Sequence, residues 1–262
     1  MTSPVSLRDW GGDGPRVLLA HGMAANTHWW DPVVPFWNNS LRAAALDFRG
    51  HGDSDWTEDG VYARETWIAD VETARRALGW DRIVLCGHSM GARIVLQYAA
   101  RHPERVRGVV ALDFLPEIRL GRASRFARAR GRPQPVYPSE ESMAAKFRLE
   151  PDGTVLGPDD LRKLGRLSVR PTEGGWTWKF DWRALGATVE PLWDQLAAVR
   201  PPALVARGES STLMSREDLS AVAGALPGAR TVEIPGAHHH VTLDAPAAVA
   251  RAIADFAAGL PA

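Results

Sequence analysis

Six short apolar runs recur along the chain, at residues 16–20, 42–46, 82–86, 106–112, 203–206 and 231–234. Most are apolar at successive rather than alternate positions, which marks strands covered on both faces. Longer amphipathic stretches separate them. Residues 62–78, 91–101, 215–225 and 247–258 carry apolar positions at helical spacing. Strand–helix alternation predicts an α/β fold: a mostly parallel sheet with right-handed crossovers and helices on both faces. The rhythm breaks between about 116 and 192, where several Pro and Gly, an Arg-rich stretch and "GGWTWKFDW" replace it. Residues 116–192 are therefore expected to form a mainly helical cap, inserted into a core of residues 1–115 and 193–262.

Composition narrows the classes. The 262 residues fit one large domain with an insertion, and 45% hydrophobic with 24% charged residues describes an ordinary globular chain. Lys+Arg and Asp+Glu balance at 31 each, so no global field favours nucleic acid or an anionic membrane. The lone Cys86 sits in the apolar run "RIVLCG" and reads as a buried thiol, outside any disulfide framework or thiolate metal cluster. The start of the chain shows no basic segment followed by an apolar stretch, and no apolar run is long enough to span a bilayer. A cytoplasmic monomer or homodimer is expected.

The strongest chemical signal is "VLCGHSMGARIVLQYAA", a strand, the pentapeptide Gly87-His88-Ser89-Met90-Gly91 and a helix. This is the nucleophile-elbow pattern in its required context. Ser89 would stand in a strained turn at the end of a strand, and a Cβ at Gly87 or Gly91 would clash with neighbouring elements. A second strand ends in "HGMAAN", so the N–H groups of Met23 and Met90 are candidates for a two-donor oxyanion hole. His21 reads as a structural histidine of its own loop. Arg49, His51, Asp53 and Asp55 in "LDFRGHGDSD" read as a polar network holding that loop.

These motifs, with the late "PGAHHHVTLDAP", stand in the order and at the separations of the α/β-hydrolase fold family. The chain resembles its small, cap-bearing, esterase-like branch. The resemblance implies an eight-stranded sheet with a shortened first strand, a Ser–acid–His triad in that order, and no cofactor. A serine at the elbow excludes the branches whose nucleophile is a carboxylate.

In the family a proline follows the catalytic histidine by seven residues; counting back from Pro246 selects His239. In an extended segment His238 and His240 would face the opposite way. A run of histidines can also bind metal, but neighbours on one strand cannot converge on an ion without further ligands, so no metal is expected. The turn that usually carries the acid reads Glu209-Ser210-Ser211-Thr212 and holds no aspartate. Asp113, closing the strand after the elbow helix, is the favoured acid, at the strand end where open parallel sheets build their sites. Some esterase-like members place the acid there. Glu209 remains the alternative. Asp218 and Asp244 read as helix-start residues, with Ser215 as the N-cap ahead of Asp218.

His28, Trp29 and Trp30, after the oxyanion loop, and Trp176 and Trp178 of the cap are candidate substrate contacts. Trp176, Trp178, Phe180 and Trp182 would share one face if extended, more as a packing face than as a pocket wall. Six arginines between Arg119 and Arg132 read as a solvated or salt-bridged face rather than an anion site. The expected function is hydrolysis of a small carboxylic ester or lactone through an acyl-enzyme. The alternatives are C–C hydrolysis of a diketone and a slow-turnover ligand receptor on the same fold. The partner is a small molecule; neither nucleic acid nor membrane is expected.

Overall fold

The computed structural model describes residues 4–117, 131–186 and 190–261. The expected α/β fold is present. Its core strands are β1 (Leu7–Gly11), β2 (Arg16–Ala20), β3 (Arg42–Leu46), β4 (Ile83–His88) and β5 (Val106–Leu112). Two helices sit among them, α1 (Arg64–Ala77) and α2 (Met90–Arg101). After the inserted segment come β6 (Ala203–Gly208), α3 (Arg216–Ala225), β7 (Arg230–Ile234) and α4 (Pro246–Ala258). The spatial order is β1-β3-β2-β4-β5-β6-β7, with β1 antiparallel to β3 and the other neighbours parallel.

Among the described residues the sheet has seven strands where the resemblance implied eight. Pro4 O accepts from Asp55 N at 3.1 Å and Ser6 O from Asp47 N at 3.0 Å, pinning the Asp47–Asp55 loop.

The continuous apolar runs are explained by two layers. Leu18, Ala20, Leu85 and Val109 face α1, α2 and α3; Val17, Leu19, Cys86 and Val110 face α4. Alternate residues of one strand thus enter two cores. Every residue of β4 is buried. Each fully buried Leu or Ile contributes roughly 1.5–3 kcal/mol. Helix α3 starts as its sequence suggests: Ser215 Oγ accepts from Asp218 N at 3.1 Å while Asp218 Oδ2 accepts from Ser215 N at 2.9 Å.

Among the described residues the inserted segment combines helices with a hairpin. It holds the single-turn helix Glu140–Ala144, the helix Pro158–Leu167 and an antiparallel hairpin of Val169–Thr172 with Gly175–Trp178. The β-branched and aromatic residues of "SVRPTEGGWTW" favour this hairpin. Only Trp176 and Trp178 of the aromatic quartet lie in the strand; Phe180 leaves it and stacks on His51. The arginines from Arg119 to Arg130 lie outside the described residues. No helix among the described residues is long and apolar enough to cross a membrane.

Candidate active site

Ser89 follows β4 and precedes α2, with φ 54° and ψ −115°, a conformation that L residues rarely adopt. The glycines allow the turn. A Cβ on Gly87 would lie 2.4 Å from the Gly91 carbonyl carbon, and one on Gly91 would lie 2.4 Å from Ala20 O. Ser89 N donates to Leu112 O at 2.9 Å, tying the elbow to the end of β5. Met90 opens α2, so its N–H is among those that a helix leaves without an intrahelical acceptor. Met23 lies in the turn closed by Ala25 N donating to Gly22 O. Gly22 packs beside the elbow: a Cβ there would be 3.3 Å from Ser89 Cβ.

The residue after β5 is Asp113, also strained, at φ 42°. Its carboxyl group is fully buried and accepts three hydrogen bonds. His239 Nδ1 donates to Oδ1 at 2.8 Å, Ser211 Oγ donates to Oδ1 at 2.8 Å, and Gly208 N donates to Oδ2 at 2.7 Å. Burial pushes the Asp113 carboxyl up, and the Gly208 and Ser211 donors pull it back toward the ionised form. Burial holds the His239 imidazole below its ordinary value, so at neutral pH it is an uncharged base. With Nδ1–H committed to Asp113, the lone pair sits on Nε2.

Glu209, the alternative acid, is exposed and turns outward, accepting from Gly236 N at 2.9 Å. The serine-rich turn nevertheless enters the site. Ser211 Oγ accepts from Leu213 N and Met214 N, both at 3.2 Å, which frees its only proton for Asp113. In the sequence Ser211 stands out only as part of a turn that holds no aspartate.

The three consecutive histidines do not alternate as on a strand. They precede a single helical turn, Val241–Asp244, and His240 has φ −83° and ψ 56°. His238 turns toward Asp244, His239 toward Asp113, and His240 buries its ring 5.0 Å from that of His239. His88 joins them, 4.7 Å from the His239 ring.

Asp244 was expected to start a helix; it ends that turn and anchors the cap. Its side chain accepts from Thr154 Oγ1 at 2.5 Å, from Val155 N at 3.1 Å and from His238 N at 2.9 Å. Loss of one such buried carboxylate leaves three donors from two segments without an acceptor.

The candidate substrate contacts separate. Trp30 is fully buried beneath the opposite face of the sheet with Val17, Val33 and Trp37, and is core because the short helix Thr27–Trp30 points it inward. His28 is held by Asp31 at 2.7 Å and by Arg8 at 3.0 Å, away from the elbow's partners. Trp29 and Trp178 both pack against Phe147, in the apolar cluster that joins cap and core through Ala25, Leu149, Leu164 and Leu243. Trp176 pairs in the backbone with Tyr137. His21 is structural as expected, donating from Nδ1 to Gly22 O at 2.7 Å and accepting from Phe48 N at 3.1 Å. Around it, Asp47 accepts from Thr27 N and Asp53 N, and Arg49 pairs with the buried Asp70.

A strained serine at a strand–helix elbow, with a carboxylate-bound imidazole on the neighbouring turn, is the arrangement of one large hydrolase class. The sequence profile of the alpha/beta hydrolase fold matches residues 15–246, and the chain belongs to that family. A 2-(acetamidomethylene)succinate hydrolase of Mesorhizobium japonicum is 30% identical over 249 residues, covering 94% of this chain and 88% of that protein. An esterase of Mycobacterium tuberculosis is 29% identical over 252 residues, covering 94% and 83%. The crystal structure of an E-2-(acetamidomethylene)succinate hydrolase superposes with a TM-score of 0.83 at 27% identity, over 96% of this chain and 94% of that one. These relatives are hydrolases.

Proposed function

We propose that this protein is a serine hydrolase that cleaves a small carboxylic ester or lactone through an acyl-enzyme. Ser89 is the nucleophile and His239 the general base, with Asp113 fixing the imidazole tautomer. His239 Nε2 takes the Ser89 proton as the hydroxyl oxygen attacks the carbonyl. The same proton then passes to the leaving alkoxide. Water, activated by His239, attacks the acyl group in the second half-reaction and releases the acid. The N–H groups of Met23 and Met90 stabilise the oxyanion, where losing one donor typically costs ~3 kcal/mol.

The observation that carries the reading is the 2.8 Å contact of His239 Nδ1 with a carboxylate on the strand next to a strained Ser89. The esterase relative supports the ester class. A panel of short-chain fluorogenic esters, lactones and N-acyl enamines tests it. Ester or lactone turnover is expected, falling by at least ~10³-fold in Ser89→Ala. A wild-type protein that turns over none of the esters and lactones, or a Ser89→Ala variant of unchanged rate, refutes the proposal.

A further inference from the structure

Three buried imidazoles gather where β4 ends at His88. His88, His239 and His240 each offer a ring nitrogen, and these three atoms lie within 4.8 Å of one another. The hydrolytic reading uses only His239. His88 and His240 have no part in it, yet each spends a buried imidazole there.

The hydrogen bonds fix the tautomers. His88 Nε2 lies 2.8 Å from the carbonyl oxygen of His239, and His240 Nε2 lies 3.1 Å from that of Pro151. A carbonyl can only accept, so both Nε2 atoms carry the proton and both Nδ1 atoms carry lone pairs. Both Nδ1 atoms are buried without a hydrogen-bond partner. His239 is the mirror case, with Nδ1–H held by Asp113 and the lone pair on Nε2. Each ring therefore donates one N–H to a carbonyl or carboxylate and keeps its other nitrogen free. Metal-ligating histidines are oriented by the same kind of outer partner. An orphaned buried acceptor is costly, and two in one cluster call for a partner.

We propose that His88, His239 and His240 form an inhibitory site for a transition-metal dication such as Zn²⁺ or Cu²⁺. Imidazole nitrogen suits these ions, whereas Mg²⁺ and Ca²⁺ prefer oxygen. Three nitrogens about a tetrahedral Zn²⁺ sit roughly 3.3 Å apart, closer than the 4.8 Å within which the three rings now bring a nitrogen each, so the rings draw together on binding. The ion takes the Nε2 lone pair of His239, the one that would accept the Ser89 proton, and blocks the first half-reaction. No bond is made or broken beyond coordination. The inhibitory consequence rests on the role proposed for His239; the binding itself does not.

The test uses protein without a polyhistidine tag, stripped with chelator and desalted. Ester hydrolysis is followed while Zn²⁺, Cu²⁺ or Mg²⁺ is titrated. Zn²⁺ and Cu²⁺ are expected to suppress turnover, EDTA to restore it, and Mg²⁺ to do nothing. H240Q and H88Q each keep a donor for the same carbonyl and lose the second nitrogen. Relative to each variant's own metal-free rate, the half-inhibitory concentration is expected to rise at least about tenfold. Binding is read separately in Ser89→Ala protein, whose Tm should rise with Zn²⁺ and should not when H240Q is added. Cu²⁺ on the wild type should give an electron paramagnetic resonance spectrum with hyperfine structure from several nitrogens, a readout that needs no folded variant. A Tm indifferent to both ions, inhibition unchanged in both variants, or an oxygen-dominated Cu²⁺ spectrum overturns the site. Absent ester turnover with a metal-dependent Tm overturns the hydrolytic reading and leaves the site standing.

Discussion

Replacing Asp113 by Asn tests where the acid lies, and the structure predicts how the damage occurs. The carboxylate accepts from the Gly208 amide on one oxygen and from Ser211 and His239 on the other. The Gly208 N–H is backbone and cannot turn away. An asparagine therefore directs its oxygen at Gly208 and its NH₂ group at Ser211 and His239. His239 Nδ1 must then accept rather than donate, and its proton moves to Nε2. An imidazole protonated there cannot take the Ser89 proton. Loss of the correct tautomer is expected to cost ~10³–10⁴-fold in kcat, or about 4–5.5 kcal/mol. The reverse orientation would keep the tautomer but oppose the asparagine NH₂ to the Gly208 N–H, at ~1–3 kcal/mol for the unsatisfied pair. It would appear as lowered Tm with retained activity. The assay is kcat on a short-chain ester for Asp113→Asn and Glu209→Gln side by side, with Tm and circular dichroism for each. Glu209→Gln is expected within about threefold of the parent, since an exposed side chain bonded to Gly236 stays far from the proton transfer. Near-parental kcat in Asp113→Asn together with collapse in Glu209→Gln would refute the reasoning.

Two further outcomes follow from the same geometry. Ser211→Ala removes one donor to Asp113 and the Oγ acceptor of the Leu213 and Met214 amides; kcat should fall ~10-fold or more with KM within about twofold, and Ser211→Thr should recover most of it. A change confined to KM would place Ser211 elsewhere in the reaction. Burial lowers the His239 pKa, and the base must be neutral to act, so the acid limb of kcat/KM should lie below the ordinary imidazole value of ~6.5 and the plateau should be reached by about pH 7; an apparent pKa above 7 would contradict this.

The core was legible because its strands are buried on both faces. Runs such as "VLLA" and "IVLC" announce themselves without needing alternation, and β2, β3 and β5 span the predicted runs 16–20, 42–46 and 106–112. The elbow was legible for a steric reason, since little but glycine fits at positions 87 and 91. Other features rest on long-range partners that no local pattern encodes. Asp244 meets donors 89 and 90 residues away in the cap. Ser211 meets an acid 98 residues away. The histidine run misled because an extended backbone was assumed; a turn brings His239 and His240 together, and His88 arrives from another strand. Trp30 looked like pocket wall from its place after the oxyanion loop, and a single 3-10 turn rotates it into the core.

The hydrogen bond from Ser89 N to Leu112 O has a mechanical consequence. Leu112 is the residue before Asp113, and His88, the residue before Ser89, is its register partner across β4 and β5. Ser89 and Asp113 thus ride on one stiff block of two adjacent strands. The histidine alone comes from outside that block, on a turn whose far end, Asp244, is tied to the cap at Thr154 and Val155. Aligning three groups reduces to setting one turn, and the cap holds the other end of it.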